Sequence, residues 1–226
     1  MPGIHNATQK RARQKLATQK LAMLAAAAGL AAACLSMAQP AHAFLVRPTL
    51  FAAVGAATKA PSGWQQFCAQ NAEECRPGAD QARDVVLTPE LLQQLYEINK
   101  YVNDRVTWTS DDVLYGKAER WSLPLDRGDC EDIVLLKRKM LAKAGWPQGS
   151  LLITTVEEPA PAKGRHAVLT VRSDRGEMIL DNQTPEILFW YETKYRYLSR
   201  QSAGDPNVWV SFGAEQPKPP ALPVER

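Results

Sequence analysis

The chain has 226 residues, with 27 Lys and Arg against 24 Asp and Glu, a formal net charge of +3, and 45% hydrophobic residues. Five of the basic residues and none of the acidic ones lie in the first 43 positions, so the remaining 183 residues carry 22 basic and 24 acidic side chains, a net charge of −2. This balance leaves no basic surface for nucleic acid, and the length suits one domain with a buried core.

Residues 1–43 have the pattern of a cleaved signal peptide. Basic residues lead into a nearly uncharged Leu- and Ala-rich run at 21–37, and AHA at 41–43 matches the small-x-small site of leader peptidases. Pro40 follows the apolar run too soon for a membrane span. We therefore predict export, cleavage after residue 43 and no membrane span in the mature protein; LAAAC at 30–34 offers a weaker lipoprotein alternative.

The two flanks of the mature chain lack the periodicity of regular structure. Residues 44–62 are punctuated by Ala and Pro, and residues 214–226 are rich in Pro. We predict a linker at 44–62, a folded domain at 63–213 and a flexible tail at 214–226.

Two helices are predicted in the first half of the domain. Thr88 followed by Pro89 is typical of a helix start, and apolar residues recur at helical spacing until about residue 105. The second helix begins just after Asp129 and ends at GWP, residues 145–147. The apolar stripes of the two helices are Leu91, Leu92, Leu95, Ile98, Val102 and Val106, and Ile133, Leu136, Met140 and Ala144.

Strands dominate the second half of the domain. LLITTVEE at 151–158, HAVLTVRS at 166–173 and EMILDN at 177–182 alternate or are β-branched, and the last two flank a turn at 174–176. The last two segments predict a hairpin. The aromatic stretch at 187–212 predicts one or two more strands. Its aromatic residues line either a peptide groove or, more commonly, a core. The predicted class is therefore α+β, with helices packed on an antiparallel sheet.

Three cysteines remain after leader cleavage, which is an odd number for an exported protein. Cys68 and Cys75 are seven positions apart and predict a disulfide, although with further ligands they could bind a metal. Cys130 is then left as a free thiol at a helix N-terminus, where the unpaired N–H groups favour thiolate. A lone cysteine is more often a small core residue, so its neighbours in space decide its role.

The predicted hairpin brings a histidine and a carboxylate together. With a turn centred near residue 174, His166 lies opposite Asp181 or its immediate neighbour. His166 could take the proton of Cys130 and later protonate a leaving amine, while Asp181 orients the ring. This trio predicts thiol-mediated acyl transfer.

Three carboxylates surround the cysteine: Asp129, Glu131 and Asp132. Their charge opposes thiolate formation, so they need another role. Two roles stay open, namely capping of the helix N-terminus and binding of a hard cation such as calcium.

The segments GDCEDIVLLKRKMLAKAG, GRHAVLTV and ILDNQT resemble the bacterial transglutaminase-like cysteine proteinase family of the papain-like superfamily. The resemblance spans about residues 64–209 and includes INKYVNDRVTW and YGKAERWSLP. It implies a periplasmic cysteine peptidase acting on a protein or peptide, with Cys130 as nucleophile, His166 as base and Asp181 as orienting acid.

The characterised branch of that family is a calcium-dependent protease that cleaves a surface adhesin and releases cells from a biofilm. The resemblance therefore implies a calcium site at Asp129, Glu131 and Asp132, and an inner-membrane regulatory receptor as partner. Two alternatives remain: a transglutaminase or cell-wall peptide amidase with the same trio, and a periplasmic binding or scaffold protein without activity.

Overall fold

The computed structural model describes residues 49–78, 84–159 and 164–213. The predicted leader at 1–43 and tail at 214–226 lie outside these residues. The helices are α1 (Ser62–Gln70), α2 (Pro89–Arg105), α3 (Asp111–Tyr115) and α4 (Cys130–Lys143). The strands are β1 (Val54–Thr58), β2 (Thr107–Trp108), β3 (Arg127–Gly128), β4 (Leu151–Glu157), β5 (Arg165–Ser173), β6 (Gly176–Leu180), β7 (Leu188–Phe189), β8 (Arg196–Gln201) and β9 (Trp209–Phe212).

The fold is a mixed arrangement of helices and an antiparallel sheet, as predicted. Seven strands form the sheet in the order β1-β9-β8-β4-β5-β6-β7, with every pair antiparallel. Helix α4 packs on β4 and β5, and α2 packs against α4. Helix α4 therefore contacts both the sheet and the other long helix.

Helix α2 begins where the sequence predicts. The side chain of Thr88 accepts a hydrogen bond from the Leu91 amide at 3.3 Å, and Pro89 occupies the first turn. Leu95 and Val102 are buried on its inner face, where Val102 packs against Ile133 of α4. The predicted apolar stripe thus becomes the contact between α2 and α4.

Helix α4 is buried on more than one face because it lies between α2 and the sheet. Val134 and Leu141 join the core on the sheet side, whereas Ile133 faces α2. Lys137 and Arg138 are buried as well, which an amphipathic pattern does not predict. The helix therefore carries two buried basic side chains, at positions 137 and 138.

The prediction of a linker at 44–62 is wrong for residues 54–58, which form the edge strand β1. Thr58 pairs with Trp209 and Val54 with Phe212 of β9. All five residues of β1 are exposed, so the strand has no buried face that would give a hydrophobic alternation. Backbone hydrogen bonds to β9 place β1 in the sheet, and such bonds leave no hydrophobic pattern in the sequence from which the strand could be predicted.

The β5–β6 hairpin forms with a register one or two residues from the predicted one. Ser173 lies opposite Gly176 and Leu169 opposite Leu180, so the connecting loop has two residues. Gly176 has φ +114, a conformation that favours glycine and shortens the turn. The ladder ends at Leu180, and Asp181 therefore lies just beyond the last pair.

Cys68 and Cys75 form the predicted disulfide, with a Cα–Cα distance of 5.7 Å. The bond ties α1 to the 3₁₀ turn that follows it. Trp64 of α1 packs with Trp121 and Trp209 in an aromatic cluster whose ring centroids are 6.3 to 6.5 Å apart. Within residues 49–78, 84–159 and 164–213, no helix is long and apolar enough to cross a membrane.

Candidate active site

Cys130 is a free, half-buried thiol at the first position of α4. Its Sγ donates a hydrogen bond to Oε2 of Glu131 at 2.9 Å. Burial and this carboxylate raise the pKa of the Cys130 thiol far above its usual value, while the backbone N–H of Ala167 acts in the opposite direction. In this arrangement the thiol keeps its proton.

His166 and Asp181 form a buried pair at the open end of the β5–β6 hairpin. His166 Nε2 and Asp181 Oδ1 are 2.8 Å apart, and each side chain is 2% exposed. Because Nε2 is engaged by the carboxylate, Nδ1 is the ring nitrogen left for a thiol. This is the arrangement that general base catalysis by a histidine requires.

The Asp181 carboxylate has a donor on each oxygen. Oδ1 also accepts from the Gln183 amide at 3.0 Å, and Oδ2 accepts from the Tyr195 hydroxyl at 2.5 Å. Burial alone would raise the pKa of Asp181, but the interactions with His166, Tyr195 and Gln183 together lower it below its usual value. Asp181 is therefore a carboxylate that can hold an imidazolium.

The packing of α4 on β5 brings the cysteine to the strand that carries His166. The Ala167 amide that acts on the Cys130 thiol belongs to the residue directly after His166. The structure thus places the predicted nucleophile against the strand of the predicted base, and the predicted acid in contact with that base.

The backbone of Asp181 is fixed from the helix layer. Its carbonyl oxygen accepts from Lys137 Nζ at 2.9 Å and from Asn103 Nδ2 at 2.8 Å. Burial lowers the pKa of Lys137 to about 7, against an opposing effect of Asp181. Helices α2 and α4 therefore both hold the residue that contacts His166.

Three carboxylates gather beside the cysteine, but they differ from the predicted set. Oxygens of Asp111, Asp129 and Asp132 all lie within 4.8 Å of one another. The Glu131 carboxylate instead accepts a hydrogen bond from the thiol of Cys130. The structure thus brings together two of the three predicted metal ligands and adds Asp111, from the first turn of α3.

The cluster has the chemistry of a hard-cation site. Asp111 Oδ1 and Asp129 Oδ1 are buried without a hydrogen-bond partner among the described residues. Burial raises the pKa of Asp111, and burial with neighbouring carboxylates raises that of Asp129 to about 8 and that of Asp132 to about 7. Unpaired carboxylate oxygens at close range are the ligands that calcium prefers, so these residues fit that ion.

Asp129 is the N-cap of α4, and its side chain makes no capping hydrogen bond of ordinary geometry. The Asp132 amide nevertheless acts to lower the pKa of its carboxyl, so a role in capping stays open beside the role in cation binding. Asp132 is oriented by Ser122, whose amide donates to Oδ1 at 2.6 Å. Gly128 allows this packing, because a Cβ there would lie 2.7 Å from the Asp132 side chain.

Sequence reasoning missed four residues of this site: Asp111, Asn103, Lys137 and Tyr195. Asp111 follows Ser110 in a turn-rich stretch with an ordinary helix-start pattern, so nothing sets it apart. Tyr195 lies in an aromatic stretch that predicts a core as readily as a groove. The available signal was the density of aromatic residues, which does not indicate which hydroxyl meets Asp181.

A helix-borne thiol and a buried imidazole–carboxylate pair on an antiparallel sheet are the parts of an enzyme that transfers acyl groups through a cysteine. The profile of the bacterial transglutaminase-like cysteine proteinase family matches residues 54–217, which is most of the sequence. The chain therefore belongs to that family. No curated protein matches the sequence.

Solved structures similar to the chain include three of LapG from Legionella pneumophila. Calcium-bound LapG has 21% identity and a TM-score of 0.46, covering 56% of this chain and 71% of that chain. EGTA-treated LapG has 22% identity and a TM-score of 0.46, covering 55% and 69%. A third LapG structure has 23% identity and a TM-score of 0.43, covering 50% and 64%. These similarities are more distant than the family match.

Proposed function

We propose that the protein is an exported, periplasmic cysteine peptidase in which Cys130, His166 and Asp181 form the catalytic triad. The observation that carries the proposal is the buried 2.8 Å contact between His166 Nε2 and Asp181 Oδ1, next to a helix that carries a free thiol. The predicted leader at 1–43 supports export, since it combines a basic start, an apolar run and a small-x-small site.

The chemistry proceeds by acyl transfer. His166 takes the proton of Cys130 through Nδ1, and Sγ attacks the carbonyl carbon of the scissile peptide bond. The C–N bond then breaks, and the leaving amine takes the proton from His166. Water attacks the thioester with His166 as base, which releases the acid and restores the thiol. Asp181 stabilises the imidazolium and keeps its orientation in each step.

Before the thiol can react, its hydrogen bond to Glu131 must break. In the described arrangement its proton points at the Glu131 carboxylate, which opposes ionisation. We propose that calcium binds at Asp111, Asp129 and Asp132, where it would cancel negative charge beside the thiol. The support is the pair of buried, unpaired oxygens on Asp111 and Asp129.

The substrate we propose is a surface adhesin, cleaved in the release of cells from a biofilm, with an inner-membrane receptor as regulator. The family resemblance of the catalytic segments supports this choice. The substrate test incubates the protein with the large repetitive exported protein encoded nearest its own gene. A single cut, abolished in Cys130→Ser, is the expected result, and an uncut protein would contradict the adhesin proposal.

The triad itself can be tested without a substrate. We expect iodoacetamide to alkylate Cys130 much faster in the wild type with calcium than in His166→Ala. The reason is that the imidazole takes the proton of the thiol and so produces the reactive thiolate. Mass spectrometry of the Cys130 peptide gives the rate, and the disulfide-bonded Cys68 and Cys75 serve as internal controls. Equal rates in the two proteins would overturn the triad.

A further inference from the structure

Tyr195 contacts both members of the buried pair. Its hydroxyl donates to Oδ2 of Asp181 at 2.5 Å, and its ring centroid lies 5.6 Å from that of His166. His166 and the Gln183 amide already share Oδ1. Tyr195 therefore supplies the side-chain donor on the second oxygen of the carboxylate.

The backbone on both sides of Tyr195 is anchored. Before it, the Thr193 hydroxyl donates to the Trp190 carbonyl at 2.9 Å, at the end of a 3₁₀ turn. After it, Arg196 and Tyr197 pair with Glu157 and Val156 of β4. The position of the phenol is thus built into the sheet and the turn.

Packing alone does not fix the ring of Tyr195. The residue lines a cavity of about 510 Å³ together with Ile179, Leu188 and Asp181. One side of the phenol therefore faces open space. The hydrogen bond to Asp181 and the contact with His166 therefore act together with the packing of the ring on the neighbouring core to set its orientation.

The Tyr195 hydroxyl remains a hydrogen-bond donor at the pH values at which a histidine base works. Burial, followed by the bond to Asp181, raises the pKa of Tyr195 well above its usual value, so the hydroxyl stays protonated across the working range of a histidine base. A carboxylate with one free oxygen can rotate about its terminal bond. When both oxygens accept hydrogen bonds, the carboxylate cannot rotate without breaking at least one of these hydrogen bonds.

We propose that Tyr195 is a positioning residue of the peptidase, whose hydroxyl locks the Asp181 carboxylate so that Oδ1 stays on His166 Nε2 and Nδ1 stays free for the thiol of Cys130. The inference rests on the proposed triad and adds to it a residue that acts through Asp181. Tyr195 does not itself need to touch the substrate.

The test is Tyr195→Phe, which removes the hydroxyl and keeps the ring. Two readouts are made on the full chain: the tautomer of His166 by ¹⁵N NMR, with its signal assigned by loss in His166→Asn, and the rate of Cys130 alkylation by iodoacetamide. We expect a wild-type ring protonated at Nε2, a mixture of tautomers in Tyr195→Phe, and alkylation slower by about one order of magnitude.

Tyr191→Phe is the matched control, since Tyr191 lies in the same segment with its ring stacked on Phe189 at 5.5 Å. It should leave both readouts at wild-type values. The proposal is overturned if Tyr195→Phe behaves like the wild type, or if Tyr191→Phe shows the same changes.

His166→Asn separates this proposal from the triad. If His166→Asn slows alkylation and Tyr195→Phe does not, only the role of Tyr195 fails. If neither variant slows it, the triad fails as well. Thermal unfolding of each variant identifies a general loss of folding, which would lower the melting temperature without producing the mixed tautomer.

Discussion

Asp132 and Asp181 are equally inaccessible to water, at 0% and 1% exposed, yet their acidities move in opposite directions. The pKa of Asp132 rises to about 7, whereas that of Asp181 falls below its usual value. Both carboxylates accept two or more hydrogen bonds. Burial raises the pKa of both carboxyls, and the two differ in what surrounds them. At Asp132 burial prevails and the nearby Asp129 and Asp111 add to it, whereas at Asp181 the interactions with His166, Tyr195 and Gln183 outweigh burial.

The two aspartates belong to two halves of the site. The thiol half gathers Asp111, Asp129 and Asp132, which repel one another and leave oxygens unpaired. The imidazole half gives Asp181 a ring, a phenol and an amide as donors. The imidazole half is thus complete in the protein alone, and the thiol half has the composition of a site that a cation completes.

Breaking the imidazole half should have the largest effect. Asp181→Asn keeps the shape of the side chain but lets an amide donor face His166 Nε2, which favours the wrong tautomer. We expect substrate turnover to fall by about three to four orders of magnitude. The measurement is cleavage of the proposed adhesin substrate, and Asp126→Asn is the control because Asp126 is exposed. A fall of less than tenfold would contradict the role of Asp181.

Adding calcium to the thiol half should have a smaller effect, which is measured as an increase in thermal stability. At a calcium concentration about a hundred times Kd, the melting temperature should rise by about 5–10 °C, because the ion binds only the folded cluster. Asp111→Asn should abolish most of this rise. Calorimetry with calcium and with chelator measures it, and an equal rise in Asp111→Asn would remove Asp111 from the site.

A pH-dependent effect sharpens the comparison from beneath Asp181. Lys137 has a folded-state pKa of about 7 against an ordinary value of 10.5, so the unfolded chain binds more protons between those values. The free energy of unfolding of the wild type, relative to Lys137→Met, should therefore increase with pH from about 7 to 10.5. Its slope should approach about 1.4 kcal/mol per pH unit.

Urea unfolding across that pH range measures the slope. Lys139→Met is the matched control on the same helix, since Lys139 is partly exposed and pairs with Glu74 at 2.5 Å. If the slope of the wild type relative to Lys137→Met is no larger than that relative to Lys139→Met, the pKa of Lys137 is not lowered in the folded protein and the prediction is wrong.

The parts of the fold that local chemistry specifies could be predicted from the sequence. The start of α2 at Thr88 and Pro89 and the cysteine at the start of α4 follow from capping and helix periodicity. The pairing of His166 with Asp181 was predicted through a hairpin whose register proved different. It survives because Asp181 lies beyond the ladder, where its side chain is free to turn toward the ring.

The parts that long-range contacts specify could not be predicted. Asp111 is 18 positions before Asp129, in a stretch with no regular pattern, and only the folded chain brings their oxygens together. The amphipathic pattern of α4 predicts that Lys137 faces solvent. The sequence does not show that neighbouring elements cover this position in the folded chain, where Lys137 is buried. Tyr195 is one of several aromatic residues in its segment, and its contact with Asp181 depends on the turn before β8.

The hydrogen bond from Cys130 to Glu131 also bears on how well the thiol resists oxidation. Peroxides and disulfides attack thiolates far faster than thiols, and overoxidation of a cysteine is irreversible. A carboxylate that holds the proton on Sγ therefore shields the single free cysteine of the described chain from chemical damage while the enzyme is idle.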